Sequence, residues 1–372
     1  MSWKPASSLL APLAPWFGGA RRAMPWRAED LDRPHPDPYA VLVSELMLQQ
    51  TQVATVIPYF ERWMARFPDV RSLAEADEHA THKLWEGLGY YRRCRFLKAA
   101  AAEIAGKGWP ADLEGLSALP GLGPYTAAAL GAIAFQWPTP ALDGNAFRVL
   151  ARLLLIEGDP KVEAAALRPW LAPALAAHGP SRMTQALMEL GATICLPQPK
   201  CGACPLAEGC AARKAGRSAE IPPAAKRAPV ATQQLWLVAV EAQGAFLLHP
   251  PAAKGLLAGL WRWPALLMED APPAESQAAE AAAGDEALEA EAWEGWTQVY
   301  THRRESVSPL RLKLGKPFQA PSGMAWIEAA DLDGLALGRR DAKLRDLLKR
   351  PGTPPLAVPP GLLDLLREAD SR

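Results

Sequence analysis

The chain has 372 residues, 49% apolar and 22% charged, which excludes general disorder and favours two domains over one at ~150 residues each. Its 40 basic and 40 acidic residues cancel, which excludes a polycation that coats nucleic acid through net charge alone. Divided after Arg217, the first part holds 23 Lys and Arg against 20 Asp and Glu and the remainder 17 against 20, so contact with a polyanion is expected mainly from the first part.

The apolar piece Leu9–Trp16 is interrupted by prolines and preceded by only one charge, Lys4, which makes a poor signal peptide. A cytoplasmic chain is expected. Asp37-Pro38 reads as an N-cap and first helical residue for a helix over Tyr39–Leu48. Gln49-Gln50-Thr51 interrupts it, and Val53–Phe67 resumes. Apolar periodicity predicts further helices at His79–Leu84, Arg93–Ala105, Thr126–Phe135, Ala146–Leu155 and Thr184–Ile194. The uncharged stretch 115–142 is cut by Pro120, Gly121, Gly123, Pro124, Pro138 and Pro140, so it is no membrane span.

Residues 216–232 read as a linker, after which the period changes. Gln234–Glu241 and Ala245–His249 flank Ala242-Gln243-Gly244 as a hairpin, and Leu310–Leu314 alternates apolar with basic residues. Residues 270–292, rich in Ala and Glu, read as a surface helix or loose insertion, and 351–372 as a Pro-rich tail. The expected organisation is an all-α domain at 1–215, a linker at 216–232, an α+β domain at 233–350 and the tail.

Cys195, Cys201, Cys204 and Cys210 fall within sixteen residues. Disulfides do not suit a cytoplasmic chain, and zinc ribbons usually hold two Cys-x-x-Cys knuckles separated by a longer loop. The compact loop 195–210 suits a cubane [4Fe–4S] cluster held by four thiolates, with structural zinc as the competing reading. Cys94 reads as a helix residue with no metal role.

Leu119-Pro120-Gly121-Leu122-Gly123-Pro124-Tyr125-Thr126 joins two helical patterns through glycines that permit positive φ and close backbone approach. Its free amides would suit a phosphate, although an ordinary helix–helix turn reads the same way. Asp143 follows in an apolar, Pro/Gly-bounded turn, where it reads as an N-cap with a second use open to it. Glu45 shares a helix face with Val41, Leu42 and Leu48. Desolvation there raises its pKa toward that of a proton donor; a structural Glu paired with Arg is the alternative.

The stretch Ser44-Glu45-Leu46-Met47-Leu48-Gln49-Gln50-Thr51-Gln52-Val53 resembles the signature of the adenine DNA glycosylases (MutY-like), which remove adenine mispaired with 8-oxoguanine. Trp85-Glu86-Gly87-Leu88-Gly89-Tyr90-Tyr91, the hairpin, Leu142-Asp143-Gly144-Asn145 and the cysteine loop extend the resemblance. It implies a two-lobed helix-hairpin-helix glycosylase domain with an iron–sulfur loop, then a Nudix-like α+β domain at 233–350 that lacks the hydrolase box. Further implied are double-stranded DNA with A:8-oxoguanine or A:G mispairs as partner, a monomeric enzyme, and a nucleoid-associated cytoplasmic location.

The roles it implies are specific. Glu45 is the general acid for the adenine leaving group, and Asp143 stabilises the positive sugar. Asn145 orients the acids and Tyr125 lines the sugar side. Trp26, Arg27 and Glu189 surround the flipped base, while Gln49, Gln50 and Thr51 fill the space it vacates. Tyr90, Gly121 and Gly123 contact DNA, and Tyr300, Thr301 and His302 read 8-oxoguanine, with Thr301 where the family has Ser. The first cysteine spacing is one residue shorter than the family's. Two alternatives stand: an oxidised-pyrimidine glycosylase/lyase, whose lysine nucleophile would occupy the place of Tyr125, and a non-enzymatic iron–sulfur DNA-binding protein.

Overall fold

The structure is a computed structural model that describes residues 3–223, 230–255, 257–268, 287–300 and 303–355. Two compact units result. The first joins Met1–Glu75 to Arg93–Lys226; the second joins Ala76–Arg92 to the described residues of Arg227–Arg372.

The first unit is helical: α1 (Ala6–Leu10), α2 (Leu13–Ala20), α3 (Pro38–Leu48), α4 (Val53–Arg66) and α5 (Val70–Ala74) precede α6 (Glu78–Trp85), which falls in the second unit. Then come α7 (Arg92–Lys107), α8 (Leu113–Ala118), α9 (Pro124–Phe135), α10 (Gly144–Leu154), α11 (Ala164–His178), α12 (Pro180–Thr193) and the short α13 (Ala211–Lys214). Among the described residues no helix is long and apolar enough to cross a membrane.

The predicted start of α3 holds: Pro38 is its first residue, and Asp37 accepts the Tyr39 amide at 3.0 Å. From Tyr39 to Met47 every residue of α3 is buried, so the helix lies inside the unit with Glu45 in its wall. One lobe packs Leu10, Phe17, Leu150, Leu171, Leu187 and their neighbours from α1, α2, α10, α11 and α12. Helix α9 packs on α3 and on α12, which places it between the lobes. The Leu119–Gly123 turn joins α8 to α9 as the expected hairpin. Gly121 takes φ +78°, and a Cβ there would lie 2.4 Å from Phe96 Cβ, so no other residue fits.

Seven strands among the described residues form one mixed sheet: β1 (Ala231–Ala242), β2 (Ala245–Leu248), β3 (Ala265–Leu267), β4 (Ala287–Ala292), β5 (Trp296–Val299), β6 (Arg303–Leu314) and β7 (Ala325–Glu328). The long β1 and β6 run parallel at its centre and the other pairings are antiparallel. Alternation buries both faces. Leu235, Leu237 and Ala239 pack with Trp263, while Val238, Val240 and Ala242 pack with Leu310 and Leu312. Helix α14 (Arg339–Leu347) adds Leu344 to the first face, so this unit is α+β as expected.

Three expectations change. Residues 76–92 belong with the second unit rather than the 1–215 domain: Tyr91 Oη donates to Leu337 O at 2.8 Å, and Arg345 Nη2 to Glu86 Oε1 at 2.8 Å. Residues 287–292, read as part of a surface helix or loose insertion, form strand β4 on β6; 270–286 lie outside the described residues. The expected linker is anchored at Ile221, which is buried against Ala151 and Ala212 and whose carbonyl accepts Arg152 Nε at 2.7 Å. The Pro-rich tail beyond residue 355 lies outside the described residues.

Candidate active site

A cavity of about 570 Å³ opens in the first unit, in the range of small-molecule sites. Glu45, Asp143, Tyr125 and Asn145 line it, as do Trp26, Arg27 and Glu189 and the loop Gln49, Gln50 and Thr51. The chain thus brings together three groups of residues singled out separately in the sequence. Gly121 and Gly123 lie in the hairpin, away from the cavity wall. Tyr90 belongs to the second unit, where it holds φ +49° in the turn after Gly89.

Each acid is held by its helix. Glu45 is 7% exposed. Burial raises its carboxyl to about 7, against a partly opposing hydrogen bond from Tyr125 and reinforced by the negative charge of Asp143. Asp143 is the N-cap of α10, and its Oδ1 accepts the Ala146 amide at 2.6 Å. Burial raises Asp143 too, while the Ala146 amide and Asn145 resist the rise. Asn145 Nδ2 donates to Asp143 Oδ2 at 3.1 Å, and Asn145 Oδ1 accepts Arg148 Nη2 at 2.7 Å. Cap and cavity-lining acid therefore coincide in one residue.

On the opposite wall Glu189, 2% exposed, is held by two arginines. Arg22 Nε donates to Oε1 at 2.5 Å and Arg27 Nη2 to Oε2 at 3.3 Å. Arg27 Nε also donates to Gln185 Oε1 at 2.8 Å. Trp26 is buried edge-on against Phe60, ring centroids 5.2 Å apart.

The sequence reading missed Arg22, Gln185 and, most plainly, Arg93. Buried in α7, Arg93 donates through Nη1 to the carbonyls of Leu46 (2.9 Å), Met47 (2.7 Å) and Gln49 (2.5 Å), and through Nη2 to Thr51 Oγ1 at 3.2 Å. It thus satisfies the orphan carbonyls at the end of α3 and fixes the Gln49–Thr51 loop, in which Gln50 takes φ +58°. Gln49 Nε2 donates to Thr126 Oγ1 at 3.1 Å. The only signal in the sequence was a basic residue in an otherwise buried helical pattern.

All four clustered cysteines line a second, small cavity. Burial pushes Cys204 up to about 11, the nearby thiols adding to the effect against a backbone hydrogen bond. Arg152 grips the loop: Nη1 donates to Cys195 Sγ at 3.3 Å and to Leu196 O at 2.5 Å. Arg148 Nε donates to Cys195 O at 2.7 Å, which ties this loop to Asn145 and hence to Asp143. One cavity gathers the four thiols, although among the described residues no group of three or more His, Cys, Asp or Glu is drawn together as around a single metal ion.

In the second unit Tyr300 N donates to Arg303 O at 2.9 Å, and Arg303 lies over the Tyr300 ring at 5.2 Å. Thr301 and His302 lie outside the described residues.

Residues 43–173 match the HhH-GPD superfamily of base excision DNA repair proteins. The chain is 37% identical over 309 residues to an adenine DNA glycosylase of Mus musculus, an alignment covering 69% of this chain and 60% of that relative, so it spans less than two thirds of the mouse protein. It is 38% identical over 216 residues to that of Mycolicibacterium smegmatis, covering 55% and 69%. Against that of Buchnera aphidicola subsp. Schizaphis graminum it is 32% identical over 257 residues, covering 67% of this chain and 72% of the relative. With its helical first unit, hairpin and paired acids, the chain belongs to the adenine DNA glycosylase family, within the HhH-GPD superfamily of base excision DNA repair proteins.

Proposed function

We infer that the protein is a base excision repair glycosylase that hydrolyses the N-glycosidic bond of adenine opposite 8-oxoguanine or guanine in double-stranded DNA, and that it stops at the abasic site. The observation that carries this reading is Glu45, a buried carboxyl raised to about 7 on the wall of a cavity that also holds Asp143 and Tyr125. In that state Glu45 is able to protonate an adenine leaving group near neutral pH. Asp143 faces the same space as a carboxylate able to offset positive charge developing on the sugar, as the second carboxylate does in glycoside hydrolysis. Trp26, Arg27 and Glu189 line the wall that would receive the extruded base, and the Gln49–Thr51 loop would replace it in the duplex at a cost such contacts offset.

The cavity wall holds Tyr125 where a lyase would need an amine, and among the described residues no lysine lines it. Without an amine no Schiff base forms. Excision without strand cleavage is therefore the reading over the oxidised-pyrimidine lyase. Cys195, Cys201, Cys204 and Cys210 would hold a [4Fe–4S] cluster, for which four thiolates around one cavity are the donor set. Such a cluster would cross-link the loop that Arg148 and Arg152 position. The protein would act as a monomer on nucleoid-associated DNA in the cytoplasm.

The test is one gel with duplexes carrying A opposite 8-oxoguanine, A opposite G, or thymine glycol, each with and without alkali. Alkali-dependent cleavage of the first two supports the proposal. Alkali-independent nicking of the thymine glycol duplex, with a borohydride-trapped complex, would instead establish the lyase.

A further inference from the structure

A cavity of about 230 Å³ in the second unit has five basic lining residues, His249, Lys254, Arg262, Arg303 and Arg340, and no acidic one among the described residues. The neighbouring acids are already engaged. Glu305 Oε1 pairs with Arg303 Nη2 at 2.7 Å and its Oε2 with Arg340 Nη1 at 3.2 Å. Asp341 Oδ1 meets Arg340 Nη2 at 3.2 Å and accepts the Trp263 amide at 2.9 Å. Two carboxylates thus balance Arg303 and Arg340, while Lys254 and Arg262 form no ion pair among the described residues.

Moreover, the Nε atoms of Arg262 and Arg303 are shielded from solvent and have no hydrogen-bond partner among the described residues. Buried donors left unsatisfied are rare in folded proteins, and two on one cationic wall indicate a missing acceptor. We propose that this cavity binds a phosphoryl group. The planar fork of Arg262 supplies directed donors and exposed Lys254 a point charge at the rim. The volume is below the roughly 300–1,000 Å³ of sites that enclose a drug-sized molecule, so it suits the phosphoryl group itself rather than a whole nucleotide. Its ligand comes either from a duplex backbone, since Arg303 begins β6 directly after the Tyr300–His302 segment, or from a free phosphate or nucleotide. The site does not depend on base excision, and a Glu45→Gln protein retains it.

The experiment uses the full chain, wild type and with Lys254→Ala or Arg262→Ala, with thermal unfolding as the folding control. Calorimetry measures inorganic pyrophosphate binding, and an undamaged labelled duplex is titrated from 50 to 200 mM salt. Loss of one backbone phosphate contact reduces the slope of log affinity on log salt by about 0.9, an outcome that assigns the duplex backbone. Pyrophosphate binding by the wild type that weakens at least about tenfold in a variant, with the duplex slope unchanged, assigns a free ligand. No pyrophosphate binding together with unchanged duplex slopes overturns the proposal. Lys254 is exposed, so its variant alone carries the test if Arg262→Ala does not fold.

Discussion

Tyr125, on the first turn of α9, and Glu45 of α3 line one cavity, where the Tyr125 hydroxyl opposes the upward shift of the Glu45 carboxyl. Burial is the larger influence on Glu45; Tyr125 moderates it and Asp143 adds to it, leaving a carboxyl that exchanges its proton near pH 7. Tyr125 itself is held far above the ordinary phenol range by burial, beside Glu45 and Asp143. The hydroxyl therefore stays protonated.

Glu45→Gln should keep duplex binding and lower single-turnover adenine excision by at least ~10²–10⁴-fold, the usual contribution of general acid catalysis. Wild-type excision should fall as pH rises through about 7. A carboxyl raised from its ordinary 4.5 adds most to stability below about pH 4.5, and that contribution is gone above about pH 7. Urea unfolding of Glu45→Gln and wild type at pH 5 and pH 8.5 should therefore show the variant relatively more stable at the higher pH, by up to about 3 kcal/mol. Equal differences at both pH values would show that Glu45 does not titrate in this range.

Asp143→Asn separates the cap from the acid. Asn caps helices about as well as Asp, so the melting temperature should shift little, within ~1 kcal/mol, while excision falls by orders of magnitude. Asp143→Ala should lose excision and about 1 kcal/mol of stability as well. Near wild-type excision by folded Asp143→Asn would leave Asp143 as a cap alone.

Removing the Arg93 guanidinium exposes what it holds. Arg93→Met should destabilise the protein by about 2–4 kcal/mol, because the buried carbonyls of Leu46 and Met47 and the part-buried carbonyl of Gln49 lose their donor. It should weaken duplex binding through the loosened Gln49–Thr51 loop but leave the pH limb of excision near 7. Unchanged stability and affinity would show that other contacts position the loop.

Anaerobically purified protein should be yellow-brown, with about four irons per chain, the stoichiometry of a cubane cluster. Cys201→Ser should lower that iron content and the visible absorbance. Stoichiometric zinc without iron would replace this assignment.

Thr301→Ala with His302→Ala should narrow the preference for 8-oxoguanine over guanine opposite adenine by ~1–3 kcal/mol, the scale of lost polar base contacts. Single-turnover rates on the two duplexes measure it. An equal loss on both would mark the segment as a phosphate contact.

How much of this was legible in the sequence follows the range of the interactions. Asp37 as cap of α3, Asp143 as cap of α10, the Gly121 turn and the alternation of β1 are local, since a cap or a strand face is set by residues a few positions apart. The proline-bearing α11 was missed because Pro169 and Pro173 read as breaks, although packing of Leu167, Leu171 and Leu175 holds the helix. β4 was missed because its Ala and Glu residues favour helix, and pairing with β6 overrides that preference.

The sequence by itself therefore determined the helices and strands with strong periodicity, the cysteine cluster, and the two acids together with their family. Only the tertiary structure decided that Glu45, Tyr125 and Asp143 share one cavity, and that Arg22 reaches Glu189 across 167 residues. It also decided that Arg93 holds the Gln49–Thr51 loop and that residues 76–92 pack with the second unit. The physical reason is that an arginine's partners, and the desolvation that raises Glu45, depend on which distant helices close around the group. No local pattern of residue types specifies that.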